Sequence, residues 1–216
     1  MTGLLGKFVA DRVSSSERSN EFHVLWVPWK RALHEVARDR SALFFPLTKT
    51  AEREKQYNWI VKLANYDCWL YAVNPEVRID QLSDLKKYKV GVLGGSLREQ
   101  ELQKHMGLDS KNIEPMTEDV SNFKKLTTGR IQIWATQQPV IDMAIQKAKH
   151  AGEAKGITAR PLKKLLDQEM WLVGNKEMPD RELAMVKDVF LSHGKKKGRE
   201  ALSFRNFIAY LDWIRN

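Results

Sequence analysis

The stretch from Leu43 to Trp59, LFFPLTKTAEREKQYNW, leaves its neighbourhood few ways to fold. Leu43, Phe44 and Phe45 read as a buried strand that Pro46 stops, and Thr48, Thr50, Arg53 and Glu54 then make a polar turn. Thr50 is placed to cap a short helix, with Glu52 and Arg53 in its first turn, and Tyr57 and Trp59 return to the apolar side. A guanidinium just beyond a strand's carboxyl end can grip a carboxylate or phosphate with two parallel charge-assisted bonds. Taken alone, the segment reads more simply as carrying a surface arginine paired with Glu52 or Glu54.

The rest of the chain alternates helical and strand patterns. Leu5, Phe8, Val9 and Val13 share a helical face over residues 3 to about 17, and the Ser-rich SSSERSN reads as a loop. Phe22–Val27 alternates like a strand ended by Pro28, and Trp29, Ala32, Leu33, Val36 and Ala37 form one face of a helix. An extended passage runs to Trp69–Val73, and the composition turns loop-like over Asn74–Ile79, before one or two helical turns at Leu82–Lys87. Further strands are expected at Lys89–Leu93, Ile113–Met116, Ile131–Ala135, Thr158–Leu162 and Met170–Val173. Helices are expected at Leu97–Met106, closed by Gly107, and at Asp119–Thr128, Pro139–His150 and Asp180–His193. Phe204, Phe207, Ile208, Leu211 and Ile214 mark a last amphipathic helix. Helix, strand, helix, strand is the order of an α/β layer with parallel strands.

Composition narrows the function classes. At 216 residues the chain is long enough for one large or two small domains, and 43% apolar content with seven tryptophans fits a folded core. The net charge of +9 suits anionic partners, but the basic residues are spread out apart from GKKKGR at 194–199, and no nucleic-acid reader motif accompanies them. One cysteine, Cys68, excludes an internal disulfide and a cysteine-built metal site; its run, CWLYAV, suits a buried core residue. Lys62 and Asp67 interrupt the longest apolar region, so a membrane span is not expected.

KVGVLGGSLREQE, from Lys89 to Glu101, reads as strand, glycine turn and helix start, where N–H groups of Gly95, Ser96 and Leu97 can face an anion. It is neither a Walker loop nor a dinucleotide fingerprint, and a plain structural turn fits it as well. His34-Glu35 lacks a zincin's second histidine, Ser96 lacks a nucleophile elbow, and the paired glutamates are two apart and cannot face each other on a helix. No catalytic group, metal or cofactor is expected. Trp134, at a strand's end before Ala135-Thr136-Gln137, fits a stacking platform and a core position equally.

Together these pieces resemble the bacterial family 3 extracellular solute-binding proteins, which serve amino-acid-type ABC importers and have a type II periplasmic-binding fold. PWKRAL at 28–33, T-x-T-x-x-R at 48–53 followed by Trp59, LSDLKKYKVGVLGGS at 82–96 and L-x-x-G-R-I at 126–131 carry the resemblance, which spans nearly all of the chain. It implies an α/β protein of two lobes, each a mostly parallel sheet flanked by helices: residues 1–75 with 169–216, and residues 76–168. Hinge segments are implied near 74–79 and 163–168, and the lobes of that family close on a solute. By position, Thr48 and Arg53 match residues that hold the solute's carboxylate, and Gly95 and Ser96 match a turn that donates further bonds to it. Trp134 and Gln137 complete the set of expected ligand-binding residues.

The chain departs from the family at Gln137, where an aspartate usually meets the solute's ammonium, and at Gln132, which replaces a common acidic residue. A neutral amide supplies no charge, so ligands without an ammonium group are expected to be preferred. Against the family's pattern, Met1 falls at the first helix, so neither the family's signal peptide nor its first strand is expected in this sequence. An empty place is therefore expected in the first sheet between Phe22–Val27 and Ala42–Phe45, through truncation or degeneration. The resulting expectation is a non-catalytic binder of a small anionic or polar solute. An ABC permease or a receptor would be its partner; its location would be the periplasm, or the cytoplasm if this start is genuine. The alternative is a sensor domain of the same fold that signals on closure.

Overall fold

Two strands of sixteen residues each, Tyr57–Ala72 and Arg160–Asn175, carry the chain through both of its units. The computed structural model describes residues 4–17, 22–153 and 156–191. In chain order the elements are α1 (Leu4–Ser14), α2 (Trp29–Arg38), β1 (Leu43–Thr48), α3 (Ala51–Glu54), β2 (Tyr57–Ala72), β3 (Val90–Leu93) and α4 (Leu97–Gln100). There follow β4 (Ile113–Met116), α5 (Ser121–Thr127), β5 (Ile133–Gln137), α6 (Gln138–His150), β6 (Arg160–Asn175) and α7 (Asp180–Leu191). One unit takes its described residues from 1–27, 31–65 and 169–216, the other from 28–30 and 66–168. The expected final helix at 204–214, the basic run 194–199 and the end of the Ser-rich loop lie outside the described residues.

In the first unit the strand order is β1-β6-β2. β1 pairs antiparallel with β6, Leu43 opposite Gly174 and Thr48 opposite Met170. Pro46 does not stop this strand, contrary to the expectation from its sequence. The register shifts between Phe44 and Leu47, and such an irregularity on an edge strand accommodates a residue with no N–H to donate. Phe22–Val27 forms no strand; among the described residues it pairs with no strand, and it leaves Leu25 80% and Trp26 53% exposed. Alternation alone does not make a strand when no neighbour supplies the ladder of hydrogen bonds. Val9 and Val13 of α1, Val36 of α2, Leu47 of β1, Leu172 and Val173 of β6, and Val186 and Val189 of α7 are all buried. Asn175, also buried, ties α2 to the end of β6 by donating from Nδ2 to the Val36 carbonyl at 2.7 Å.

In the second unit the order runs β2-β5-β3-β4. β3 pairs parallel with both β4 and β5, whereas β5 pairs antiparallel with β2. Parallel pairing, expected of both halves, is thus found around β3 and not at the β1–β6 or β2–β5 pairs. Period-two alternation sends Cys68, Leu70 and Ala72 of β2, Val90 and Val92 of β3, and Ile133 and Ala135 of β5 into one core cluster. Tyr71 and Trp134 enter another, with Phe123 and Leu126 of α5 and Ile141 and Ala144 of α6. Both faces of the sheet are therefore covered, as an α/β layer requires. Burial raises the Cys68 thiol to about 12, which makes it an inert core group.

Gly91 is needed for contact. A Cβ there would overlap Oδ1 of the buried Asn122 and Cδ1 of Ile131. Gly91→Ala is expected to destabilise the protein by about 1–3 kcal/mol through overpacking. A thermal melt followed by circular dichroism checks it, and an unchanged melting temperature would show that Asn122 can yield.

Candidate functional site

The polar turn after β1 has the local structure its sequence indicates. Thr50, in an extended conformation, caps α3 by accepting the Arg53 backbone N–H on its hydroxyl at 3.2 Å. That cap places Arg53 in the single turn of α3, where the side chain is only 8% exposed. Its Nη1 donates to the Thr48 carbonyl at 3.3 Å. Thr48 is itself buried, with its hydroxyl 3.7 Å from the Met170 sulfur. Glu52 and Glu54, the surface partners that the sequence offered Arg53, form no ion pair with it; Glu54 meets Lys49 instead, at 3.1 Å. Among the described residues, no carboxylate lies in ion-pair range of the Arg53 guanidinium. Burial lowers its pKa, partly offset by Tyr57 and Glu52. A buried guanidinium that spends one donor on a carbonyl retains further N–H groups with which it can hold an anion.

In the second unit the glycine turn forms as expected, with Gly95 at a φ of 79°. The donors of Gly95 and Ser96, however, are already used. The Gly95 N–H donates to Oε2 of Glu99 at 2.6 Å, and the Ser96 N–H and hydroxyl both go to the Leu93 carbonyl, at 3.3 and 2.6 Å. The side chains of Trp29 and Lys30, in the same unit, lie within 3.8 Å of where a Cβ on Gly95 would be. The Gly95 N–H is closed on the turn's own carboxylate and the Ser96 N–H on a carbonyl, so neither is free as inferred from sequence. Ser96-x-x-Glu99 is a helix-start signature in which the glutamate folds back onto the N-cap N–H; here it reaches Gly95, one residue earlier, and the Ser96 side chain does not cap the helix.

Gln137 ends β5 and precedes α6; its Nε2 donates to Oε1 of Gln168 at 2.7 Å, and both amides are buried. Gln132 is a structural residue, accepting from the Lys89 N–H and donating to the Gly129 carbonyl. Trp134 is a core side chain with no exposed surface and no face for stacking. Its indole N–H donates to Asp119 at 2.9 Å. Asp119 also accepts from the Thr136 hydroxyl and pairs with Arg98 at 2.7 Å. Arg98 is 3% exposed and reaches the Ala135 carbonyl at 3.0 Å as well. Burial pulls its pKa down, but the Asp119 and Cys68 fields and the hydrogen bond to Asp119 more than offset this, and the net shift is upward. Residues 98 and 119 are too far apart in sequence for any motif to announce the pair.

Comparison of the whole fold points one way. A histidine kinase sensor domain with similarity to periplasmic binding proteins superposes with a TM-score of 0.73 at 11% identity, covering 95% of this chain and 84% of that one. The substrate-binding protein of an amino acid ABC transporter gives 0.72 at 15% identity, over 98% and 88% of the two chains. ArtJ, the arginine-, lysine-, histidine-binding protein from the thermophilic bacterium Geobacillus stearothermophilus, gives 0.68 at 14%, over 99% and 84%. No protein-family model and no curated protein matches the sequence. The fold is that of the type II periplasmic-binding proteins; at these identities the likeness concerns the fold alone. Among the described residues, no helix is long and apolar enough to cross a membrane.

Proposed function

We propose that this protein is a non-catalytic solute-binding protein that takes a small carboxylate-bearing solute, anchored in the first unit by Arg53 beside Thr48. The observation that carries this is the buried Arg53 guanidinium with no carboxylate partner among the described residues. A charge removed from water without compensation costs stability, and a ligand's carboxylate is the natural recipient of such a group. The fold is one in which an amino acid ABC transporter holds its substrate, which favours a solute over a macromolecule. Gln137, at a position where the resembled family usually carries an aspartate, is a neutral amide, so carboxylates without an ammonium group are expected to bind at least as tightly as amino acids. We place the protein in the periplasm, with a membrane permease as its partner. The likeness to a histidine kinase sensor domain supports a second version, in which the same binding event is signalled to a receptor.

A thermal-shift panel of amino acids, organic acids and neutral sugars tests the proposal. A ligand at about 100 times its dissociation constant adds roughly 2.7 kcal/mol. For a chain of this size that is a rise of roughly 5–10 °C. Stabilisation by a sugar and by no carboxylate would overturn the reading.

A further inference from the structure

We propose that Lys49 is a positioning residue: with Trp59, Trp171 and Glu54 it clamps the turn that presents Arg53 and Thr48. This rests on the assignment of Arg53 as the carboxylate anchor. The Lys49 ammonium lies 5.6 Å from the ring centre of Trp59 and 5.4 Å from that of Trp171. The two indoles meet edge to face, 6.0 Å apart at 85°, and form a corner with the cation held over both. Its third contact is Oε1 of Glu54, the residue after Arg53, at 3.1 Å. The indole N–H of Trp59 donates to the Glu54 carbonyl at 3.1 Å. At the other end of the turn, the Lys49 N–H donates to the Glu169 carbonyl at 3.2 Å, and the Glu169 side chain accepts from the Trp171 indole and pairs with Lys62.

The Thr48–Glu54 turn is thus braced twice in opposite senses. Arg53 reaches back five residues to the Thr48 carbonyl, and Lys49 reaches forward five residues to Glu54. The ion pair alone is weak, because the two side chains are 32% and 59% exposed. Its placement against two rings borne by β2 and β6 ties a short polar turn to rigid strands. A binding group held to within a fraction of an ångström by its support loses less freedom on engaging ligand.

The test uses the full chain with Lys49→Met, Lys49→Arg and Glu54→Gln. Two readouts are taken: the rate at which phenylglyoxal modifies Arg53, followed by peptide mass spectrometry against the exposed Arg38, and calorimetric titration with succinate and L-glutamine. Lys49→Met is expected to raise the Arg53 modification rate about fivefold to tenfold, and to weaken whichever titrant binds about fivefold. Arg38 and the melting temperature should stay near wild type. Glu54→Gln should move both readouts the same way by less, and Lys49→Arg should restore both, since guanidinium also sits over indoles and pairs with carboxylate. An Arg53 rate in Lys49→Met equal to wild type would overturn the clamp, whatever the titrations show. A raised Arg53 rate with no binding of either titrant to wild type would keep the clamp and count against the carboxylate reading. If Lys49→Met does not fold, Glu54→Gln decides on the same two readouts.

Discussion

Replacing Asp119 by alanine is expected to cost about 3–5 kcal/mol of stability, the range for breaking a buried ion pair from one side. The carboxylate is the centre of a closed set: Arg98 at 2.7 Å, the Trp134 indole N–H at 2.9 Å and the Thr136 hydroxyl at 3.2 Å. Without it, the buried Arg98 keeps only neutral acceptors, the Ala135 carbonyl and the Thr136 hydroxyl. The Trp134 donor, inside the core, is left with nothing. For a protein of this size the loss corresponds to roughly 6–20 °C in melting temperature. Arg98→Met should be similarly damaging, for the opposite reason, because it leaves an uncompensated carboxylate. The double variant removes both charges and should be much less damaging than the sum of the single ones. Urea unfolding of the four proteins measures this. A loss below about 1 kcal/mol in Asp119→Ala would show that solvent reaches Arg98 and that the pair is not structural.

This pair also shows where reading the sequence stops. Strands β3 and β5 were legible because each is a short, mainly apolar run that follows a polar or glycine turn, whereas β4, with Glu114 and Pro115 in its middle, carries a weaker signal. The Thr50 cap was legible because its signal is local. No local signal marks Arg98 and Asp119 as partners, and only folding brings them together. Trp134 was ambiguous because β5 is buried on both faces, so no polar alternation marked which parity faced a helix layer. Once β5 lies between β2 and β3, Ile133 and Ala135 go to one core and Trp134 to the other. Phe22–Val27 failed in the converse way: its alternation was right for a strand, but strand identity depends on a partner that the segment itself does not encode. β6, expected as two strands, is continuous from Arg160 to Asn175, since Lys163, Lys164, Asp167 and Gln168 in its middle are no obstacle to extended backbone. At Gly95 and Ser96 the backbone shape was read correctly and its chemistry was not, because Glu99 took the donor first.

Arg53 and Arg98 are both buried arginines, and they should respond to mutation in opposite ways. Arg53→Ala is expected to weaken binding of the carboxylate solute by about 2–5 kcal/mol, the cost of removing one partner of a desolvated charge pair. That is a factor of roughly 30 to several thousand in the dissociation constant. Lysine at 53 should rescue only part of it, because an ammonium lacks the planar fork that holds two carboxylate oxygens. Stability should not follow affinity. The guanidinium has been taken out of water with one carbonyl in compensation and no carboxylate partner among the described residues, and burial lowers its pKa accordingly. Arg53→Met, which keeps the aliphatic packing and removes that charge, is therefore expected to leave the melting temperature unchanged or raise it slightly. Loss of affinity without loss of stability separates a group placed for a ligand from one placed for the fold. Calorimetric titration and a thermal melt on the same samples measure both. If Arg53→Met lowered stability as Arg98→Met does, the turn would be holding an internal structural charge, and Arg53 would lose its claim as the anchor.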